Sequence, residues 1–278
     1  MISRLLLAAS LALPALYAQN PQTDWPSYGH DPGGQRYSPL KQINTSNVSK
    51  LAPAWTYSMR KEGQPFRLSQ SIPLMVDGIL YLGYPYNHVA ALVPETGKLL
   101  WEFTANTKLR TTLGSMRSLA YWPGDKQLSP QILFGTEDGE LYSINAKTGK
   151  LNPGFGNEGI VNLKTPEVMN GYMNFQYGIT SAPFVIKNLV ITGAHVVDET
   201  GSKGPAGDIR AWDIHTGKLV WTFHTVPRPG EMGHETWLGD AWKKASGANV
   251  WSFFSADAAR GILYVPLGSV NNDYYGVD

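Results

Sequence analysis

The sequence contains no cysteine in its 278 residues. This absence excludes disulfide bonds and a Cys-x-x-Cys-His haem attachment site within the chain. Charged residues are also scarce, at 16%, and the net charge is only +1, so the composition does not indicate nucleic acid or an anionic membrane surface as a partner. Aromatic residues reach 12%, beside 29 glycines and 19 prolines. This balance is typical of an all-β protein with many tight turns, and it disfavours a charged helical bundle.

Long hydrophobic runs are absent except at the N-terminus. Residues 1–18 carry one positive charge, at Arg4, followed by an apolar stretch and small residues. This pattern predicts a secretory signal peptide that is cleaved after Ala18. The alternative is a membrane anchor, for which the apolar stretch is short. We therefore expect residues 19–278 to be exported.

One pattern occurs three times, each copy built around the triplet Thr-Gly-Lys. The copies read HVAALVPETGKLLWEF from His88, ELYSINAKTGKLNPGF from Glu140 and DIRAWDIHTGKLVWTF from Asp208. Each flank alternates apolar and polar residues as a half-buried strand does, and the glycine supplies the positive φ of a tight hairpin turn. Trp101 and Trp221 follow the first and third triplets, whereas Pro153 stands at that place in the second. We expect these tryptophans to dock one repeat against the next.

Further hairpins are predicted around and between the copies. Their turns fall at Asp77-Gly78, Asp138-Gly139, Lys187-Asn188 and Arg260-Gly261. The strands thus form groups of about four, while the triplets begin 52 and 68 residues apart, at positions 96, 148 and 216. Repetition of four-stranded units at such a period predicts a β-propeller with long loops inserted between strands. The alternative, a β-sandwich with chance similarity, is disfavoured by three matching copies.

The repeat resembles the tryptophan-docking motif of the pyrroloquinoline quinone (PQQ) dehydrogenases. Three longer segments are similar to the same family: DWPSYGHDPGGQRYSPLKQINTSNVSKLAPAWTY, SLAYWPGD and LGDAWKKASGANVWSFFSAD. The resemblance implies a periplasmic, eight-bladed propeller that oxidises sugars, polyols or alcohols by hydride transfer to PQQ. It also implies that residues 19–278 form about four of those blades. The family's catalytic Asp is expected beyond residue 278, so no catalytic residue is assigned here and the piece alone is expected to be inactive.

The resemblance further implies five cofactor-binding residues: Gln70, Arg117, Thr180, Asn249 and Trp251. PQQ is a planar, tricarboxylated quinone, which needs an aromatic face together with cations and hydroxyls. Arg117 matches the position beside the quinone oxygens, although Ser118 replaces the family's glycine, and Trp251 matches the tryptophan that stacks on the ring. The other three match polar contacts to the cofactor. For each residue the alternative is an ordinary structural role in a loop, a strand or the core.

A calcium ion or another divalent cation is implied as a second cofactor. Asp198 falls near the family's acidic ligand, and it is the metal ligand that we assign. The family's asparagine ligand aligns with Ser269, whose hydroxyl is a poorer calcium ligand than an amide carbonyl. Asn271 and Asn272 lie close to it in the sequence. Among the histidines, His88 and His215 are expected at the surface, and His195 lies close to the expected metal region.

Two further residues bear on the substrate. Thr111 and Thr112 stand where the alcohol-oxidising members carry adjacent cysteines, which favours a glucose or polyol substrate. The implied electron acceptor is a membrane quinone or a cytochrome. The alternative function is a cofactor-free propeller that acts as a scaffold in outer-membrane protein assembly. Such scaffolds usually carry a lipobox cysteine, and they should lack the joint set of cofactor residues.

Overall fold

A computed structural model describes residues 23–65, 69–106, 116–196 and 204–271. These residues form short antiparallel strands joined by turns. The strands are β1 Leu74–Val76, β2 Ile79–Tyr84, β3 His88–Leu92, β4 Leu99–Thr104, β5 Ala120–Trp122, β6 Gln131–Gly135, β7 Glu140–Asn145, β8 Ile160–Asn162, β9 Tyr177–Gly178, β10 Phe184–Ile186, β11 Leu189–Thr192, β12 His195–Val196, β13 Ile209–Asp213, β14 Leu219–Phe223, β15 Ser255–Asp257 and β16 Ile262–Tyr264. The helices are α1 Pro166–Met169 and the 3₁₀ turns Val48–Lys50, His234–Thr236 and Ala241–Lys243. None of these described helices is both long and apolar enough to cross a membrane.

Three four-stranded sheets, which we call blades, follow one another along the chain. Their strand orders are β1-β2-β3-β4, β5-β6-β7-β8 and β10-β11-β13-β14. Strands β15 and β16 form a further two-stranded sheet after the third blade. Strand β9, which precedes the third blade, pairs with β12, which lies between β11 and β13 in the sequence. Every pairing is antiparallel. The predicted repetition of four-stranded units in a propeller-type fold is confirmed.

The hairpin turns lie where the sequence predicts them. The three triplet glycines, Gly97, Gly149 and Gly217, have φ values of +68°, +69° and +68°. The first and fourth of the other predicted turns contain Gly78 and Gly261, again with positive φ. Because a Cβ is strained in this conformation, glycine is the residue that makes these tight turns possible.

The second blade departs from the regular hairpin predicted for each copy. After its triplet, Leu151 makes a single bridge to Ile144, and the ladder resumes only where Ile160 of β8 pairs with Tyr142. Pro153 stands two residues after Leu151 and has no N–H to donate, so the ladder is interrupted there. The hairpin predicted for this copy is present, and its last strand is interrupted after the turn.

Tryptophan docks neighbouring blades, as the repeat predicts. Trp101 of β4 lies over Gly149 in the second blade, where an added Cβ would come within 2.6 Å of the indole carbon Cε3. The indole N–H donates to the carbonyl of Ala146 at 3.0 Å. Trp55 makes the same two contacts with the first blade, at 2.5 Å from a Cβ on Gly97 and 2.8 Å to the Pro94 carbonyl. Trp55 thus docks on the triplet turn of the first blade in the same way as Trp101 docks on that of the second. The sequence analysis did not predict this role for Trp55.

Apolar side chains between adjacent blades form the core. One buried cluster joins the first and second blades and includes Val89 and Phe134, and another joins the second and third and includes Leu141 and Trp212. His88, expected at the surface, is buried on β3, with Nδ1 2.8 Å from the Thr104 hydroxyl. All five residues of β3 are buried, because the second blade covers one face of the strand and the segment that contains Trp55 and Tyr57 covers the other.

Candidate functional site

Each blade begins with a short extended segment that precedes its first strand. We call these the lead segments: residues 70–73 before β1, 116–119 before β5, 179–183 before β10 and 249–254 before β15. The first two are joined at both the backbone and a side chain. The N–H of Ile72 donates to the Arg117 carbonyl at 2.9 Å, and the Ser118 hydroxyl donates to the Ile72 carbonyl at 2.9 Å. Ser118 therefore joins the first lead segment to the second.

The remaining lead segments are joined in the same way. The N–H of Arg117 donates to the Thr180 carbonyl at 3.2 Å. The hydroxyl of Ser181, which is buried, donates to the Val250 carbonyl at 3.0 Å. The four lead segments therefore form one continuous hydrogen-bonded row at one end of the first strands.

Close backbone approach between blades makes this row possible. Gly83 is the penultimate residue of β2, Gly135 ends β6 and Gly193 directly follows β11. A Cβ on them would come within 2.3 Å of the Met116 sulfur, 2.2 Å of Ile179 Cβ and 2.6 Å of the Val250 carbonyl oxygen, respectively. A side chain at Gly135 or Gly193 would push the next lead segment away, whereas one at Gly83 would displace the Met116 side chain. A glycine at or near the end of the second strand recurs in all three blades, and this pattern in the sequence marks where the next lead segment packs.

The row brings the five candidate cofactor residues to the same end of the blades. Gln70, Arg117, Thr180 and Trp251 each stand three or four residues before the first residue of β1, β5, β10 or β15. Asn249 stands two residues before Trp251 on the fourth lead segment. Residues far apart in sequence therefore occupy equivalent positions, one set to a blade. Gln70 is exposed at the start of the first lead segment.

Arg117 makes side-chain contacts with two of the other candidates. Its Nη1 donates to Thr180 Oγ1 at 2.7 Å, and its guanidinium carbon lies 5.6 Å from the centre of the Trp251 ring, within cation–π range. Burial lowers the pKa of Arg117 below its ordinary value. No carboxylate within the described ranges forms an ion pair with it. The guanidinium thus has donors left to bind an anionic group.

Trp251 and Asn249 differ in what they offer. The Trp251 side chain is 55% exposed, so much of its ring is open to a ligand. Asn249 is buried, and its Nδ2 donates to the Ala194 carbonyl at 2.9 Å. This bond ties the fourth lead segment to the loop after β11. A hydrogen bond from Asn249 to the cofactor stays a prediction.

The ring of His195 lies beside this group of residues. Strand β12 places it opposite Gly178 of β9, two residues before Thr180. Burial, together with the positive charge of Arg117, lowers the pKa of His195. Its Nδ1 is buried and has no hydrogen-bond partner among the described residues.

The donor set fits a planar ligand that carries carboxylates. Arg117 is a half-buried cation that lacks an acidic partner in the part of the chain described, and such a charge is costly unless an anion complements it. Trp251 supplies an exposed aromatic face beside that cation. These are the features that a tricarboxylated aromatic quinone requires.

The assigned metal ligand cannot be placed. Asp198 lies outside the described residues, as do Thr111, Thr112 and Asn272. Within the described ranges no cluster of three or more His, Asp or Glu side chains could hold a metal ion. Ser269 does lie beside the fourth lead segment, since its carbonyl accepts from the N–H of Ala248 at 3.0 Å.

A cavity of about 380 Å³ lies apart from these residues. Its walls come from residues 26–36 and from the region of β5, β10 and β15. Two contacts hold the N-terminal segment beside this cavity. Trp25 makes a β-bridge with Met75, and the carbonyl of Pro32 accepts a hydrogen bond from the N–H of Ala256. None of the five candidate residues lines this cavity, so we do not assign it as the cofactor site.

Comparison with known proteins supports the resemblance. Residues 25–278 match the family model described as PQQ, glucose/ethanol/alcohol dehydrogenase, beta-propeller domain. The chain is 32% identical to the glycerol dehydrogenase large subunit of Gluconobacter oxydans, with 91% of the chain aligned to 35% of that protein. It is 31% identical to quinoprotein glucose dehydrogenase A of Acinetobacter calcoaceticus, with 92% aligned to 34%.

The fold agrees with solved structures of the same kind. Superposition on the quinohemoprotein alcohol dehydrogenase ADHIIG of Pseudomonas putida HK5 gives a TM-score of 0.70 at 30% identity, covering 90% of this chain and 35% of that one. The chain thus spans about a third of the length of the relatives it matches. The chain belongs to the family of PQQ-dependent glucose, ethanol and alcohol dehydrogenases, and it corresponds to part of their β-propeller domain.

Proposed function

We propose that this chain forms the cofactor-binding part of a PQQ-dependent dehydrogenase that oxidises the C–OH group of a sugar, polyol or alcohol to a carbonyl. One observation carries the proposal. Arg117 is held by Thr180, faces the ring of Trp251 and has no acidic partner within the described ranges. Such a cation beside an open aromatic face suits a flat, tricarboxylated ligand.

Each side chain would have a distinct part in binding. Arg117 would donate to carboxylate or quinone oxygens, while Thr180 holds the guanidinium in place. Trp251 would stack on the flat face of the cofactor, which excludes water from that side. Asn249 and Gln70 would contact its polar edge. When bound, PQQ supplies the quinone that accepts a hydride, and we assign no catalytic residue within this chain.

We propose calcium, or another divalent cation, as the second cofactor, with Asp198 as one ligand. The support is the chemistry of the family and the carboxylate that this position offers. A cation at this place would supply a Lewis acid that polarises the quinone carbonyl. Ser269 lies beside the fourth lead segment, so its hydroxyl or a neighbouring oxygen could complete the site.

A glucose or polyol substrate is proposed from Thr111 and Thr112, which replace the adjacent cysteines of the alcohol-oxidising members. Identity to the relatives does not decide between substrate classes, because the glycerol, glucose and alcohol enzymes all fall between 29% and 34%. The proposed acceptor is a membrane quinone or a cytochrome. We also propose that residues 1–18 are a signal peptide and that residues 19–278 work in the periplasm as part of the propeller.

Titration with PQQ and calcium tests this function. The full-length protein is purified and titrated with PQQ and calcium. It is then assayed for dye reduction with glucose, quinate and simple alcohols. We expect saturable PQQ binding and dye reduction that requires both PQQ and one substrate class. Absence of PQQ binding would contradict the dehydrogenase function and favour the scaffold alternative.

A further inference from the structure

The backbone of His195 lies between two segments that carry candidate cofactor residues. On one side, β12 pairs His195 with Gly178, which precedes Thr180 by two residues. On the other side, the carbonyl of the preceding residue, Ala194, accepts the Nδ2 bond of Asn249 at 2.9 Å. The strand pairing and the Asn249 bond therefore position the backbone at His195 between these segments.

The ring also lies within the field of Arg117. That positive charge acts together with burial to lower the pKa of His195. A neutral imidazole has one N–H donor and one acceptor nitrogen. The ring therefore adds hydrogen-bonding capacity to the site without adding a second positive charge beside the guanidinium.

The ring's own hydrogen bonding is incomplete. Nδ1 has almost no exposed surface and no partner among the described residues. A buried polar atom left in this state is unfavourable, and native structures rarely keep one without a ligand or functional reason. The incomplete group stands beside the residues that are proposed to hold the cofactor.

We propose that His195 is a cofactor-contacting residue and that its Nδ1–H donates to a carboxylate or quinone oxygen of bound PQQ. This inference rests on the proposed function, because it names one more contact at the same site. A donor at this point would act together with Arg117 and would fix the rotation of the planar ring over Trp251. The opposing possibility is a purely structural histidine that supports β9 and β12.

Two substitutions separate these possibilities. His195→Leu removes both ring nitrogens while it keeps an apolar side chain in the buried place. His195→Asn keeps an N–H donor close to the position of Nδ1. The measurements are the dissociation constant for PQQ, by equilibrium dialysis in calcium, and the midpoint of urea unfolding without PQQ.

We expect His195→Leu to bind PQQ roughly tenfold more weakly than the original protein, because one charge-assisted hydrogen bond is lost. Its unfolding midpoint without PQQ should be equal or higher, since an apolar group replaces an unsatisfied polar one. His195→Asn should recover most of the affinity. This combination, weaker binding without weaker folding, is what a structural role does not produce.

The contrary outcomes are distinct from one another. Equal PQQ affinity in the original protein and His195→Leu overturns the contact. So does a His195→Leu variant that fails to fold, or that loses affinity only in proportion to lost stability, because the ring would then be structural. If the original protein itself does not bind PQQ, the proposed function fails, and this inference fails with it.

Discussion

Arg117 and Thr180 stand 63 positions apart in the sequence, yet Nη1 of the arginine lies 2.7 Å from Oγ1 of the threonine. A backbone bond reinforces the contact, since the N–H of Arg117 donates to the carbonyl of the same Thr180 at 3.2 Å. The second and third blades are therefore joined at these two candidate cofactor residues. The position of the guanidinium depends on its neighbour.

Thr180→Val tests this dependence. Valine keeps the shape of threonine but removes the acceptor, so the guanidinium loses a hydrogen bond to a charged donor, worth about 1.5–3 kcal/mol. We expect PQQ affinity to fall roughly tenfold by equilibrium dialysis. Thr180→Ser, which keeps the hydroxyl, should stay close to the original affinity. Equal affinity in the valine and serine variants would show that Thr180 does not position Arg117.

Docking between blades predicts a difference between two glycine substitutions. Gly149→Ala places a methyl within 2.6 Å of Trp101, whereas Gly78→Ala meets nothing within 4 Å, and both sites have a φ near +70°. We expect Gly78→Ala to cost about 1–2 kcal/mol of unfolding free energy from backbone strain alone. Gly149→Ala should cost about 1–3 kcal/mol more from overpacking. Urea unfolding of both variants gives the comparison, and equal losses would mean that Trp101 does not press on this turn.

A buried ion pair and an exposed one are expected to respond differently to the same change. Asp208 and Arg210 are buried, and Nη2 of the arginine donates to Asp208 Oδ2 at 3.1 Å, while its Nη1 donates to the Tyr177 hydroxyl at 2.8 Å. Asp208→Asn leaves Arg210 as an uncompensated buried charge, so we expect a loss of about 3–5 kcal/mol. Asp257→Asn breaks an exposed pair with Arg260 and should hardly change the urea midpoint. Similar losses in both would contradict the burial of the first pair.

His88 predicts how stability depends on pH. Burial, aided by the charge of Lys61, lowers its pKa in the folded protein, whereas the unfolded value is about 6.5. Below that value the unfolded chain binds a proton that the folded chain resists, so unfolding free energy falls as pH decreases from about 6.5 through the folded pKa. His88→Gln should therefore lose stability less steeply between pH 7.5 and 5.5. Parallel curves for the two proteins would contradict this.

The sequence was sufficient to predict the turns and the repeating unit, because both depend on local chemistry. Gly97, Gly149 and Gly217 are the residues that a positive φ demands, and alternation marks the strands beside them. Pro153 also carried a signal, since a missing N–H interrupts the fourth strand of the second blade. The proline indicated that the strand is interrupted, but the sequence did not predict that pairing resumes only at Ile160.

Other features depended on how the blades stack, which no local pattern encodes. Trp55 docks on a hairpin about 40 residues away without a triplet of its own before it. His88 is buried because the segment that contains Trp55 and Tyr57 covers its face of β3, so the expectation of a surface position was wrong. The approach of Arg117 to Trp251 requires the whole row of lead segments. The resemblance to the family identified these site residues, whereas their contacts with one another are visible only in the structure.

The central claim is that the lead segments hold PQQ against Trp251 and Arg117. Its most direct test is the dissociation constant for PQQ in Trp251→Ala, with Trp251→Phe and Trp242→Ala as controls. We expect Trp251→Ala to bind at least tenfold more weakly, because loss of the stacking ring removes more than about 1.4 kcal/mol. Trp251→Phe should keep most of the affinity. Trp242→Ala should keep all of it, because the Trp242 ring packs on His234 in another loop. Unchanged affinity in Trp251→Ala would contradict the site.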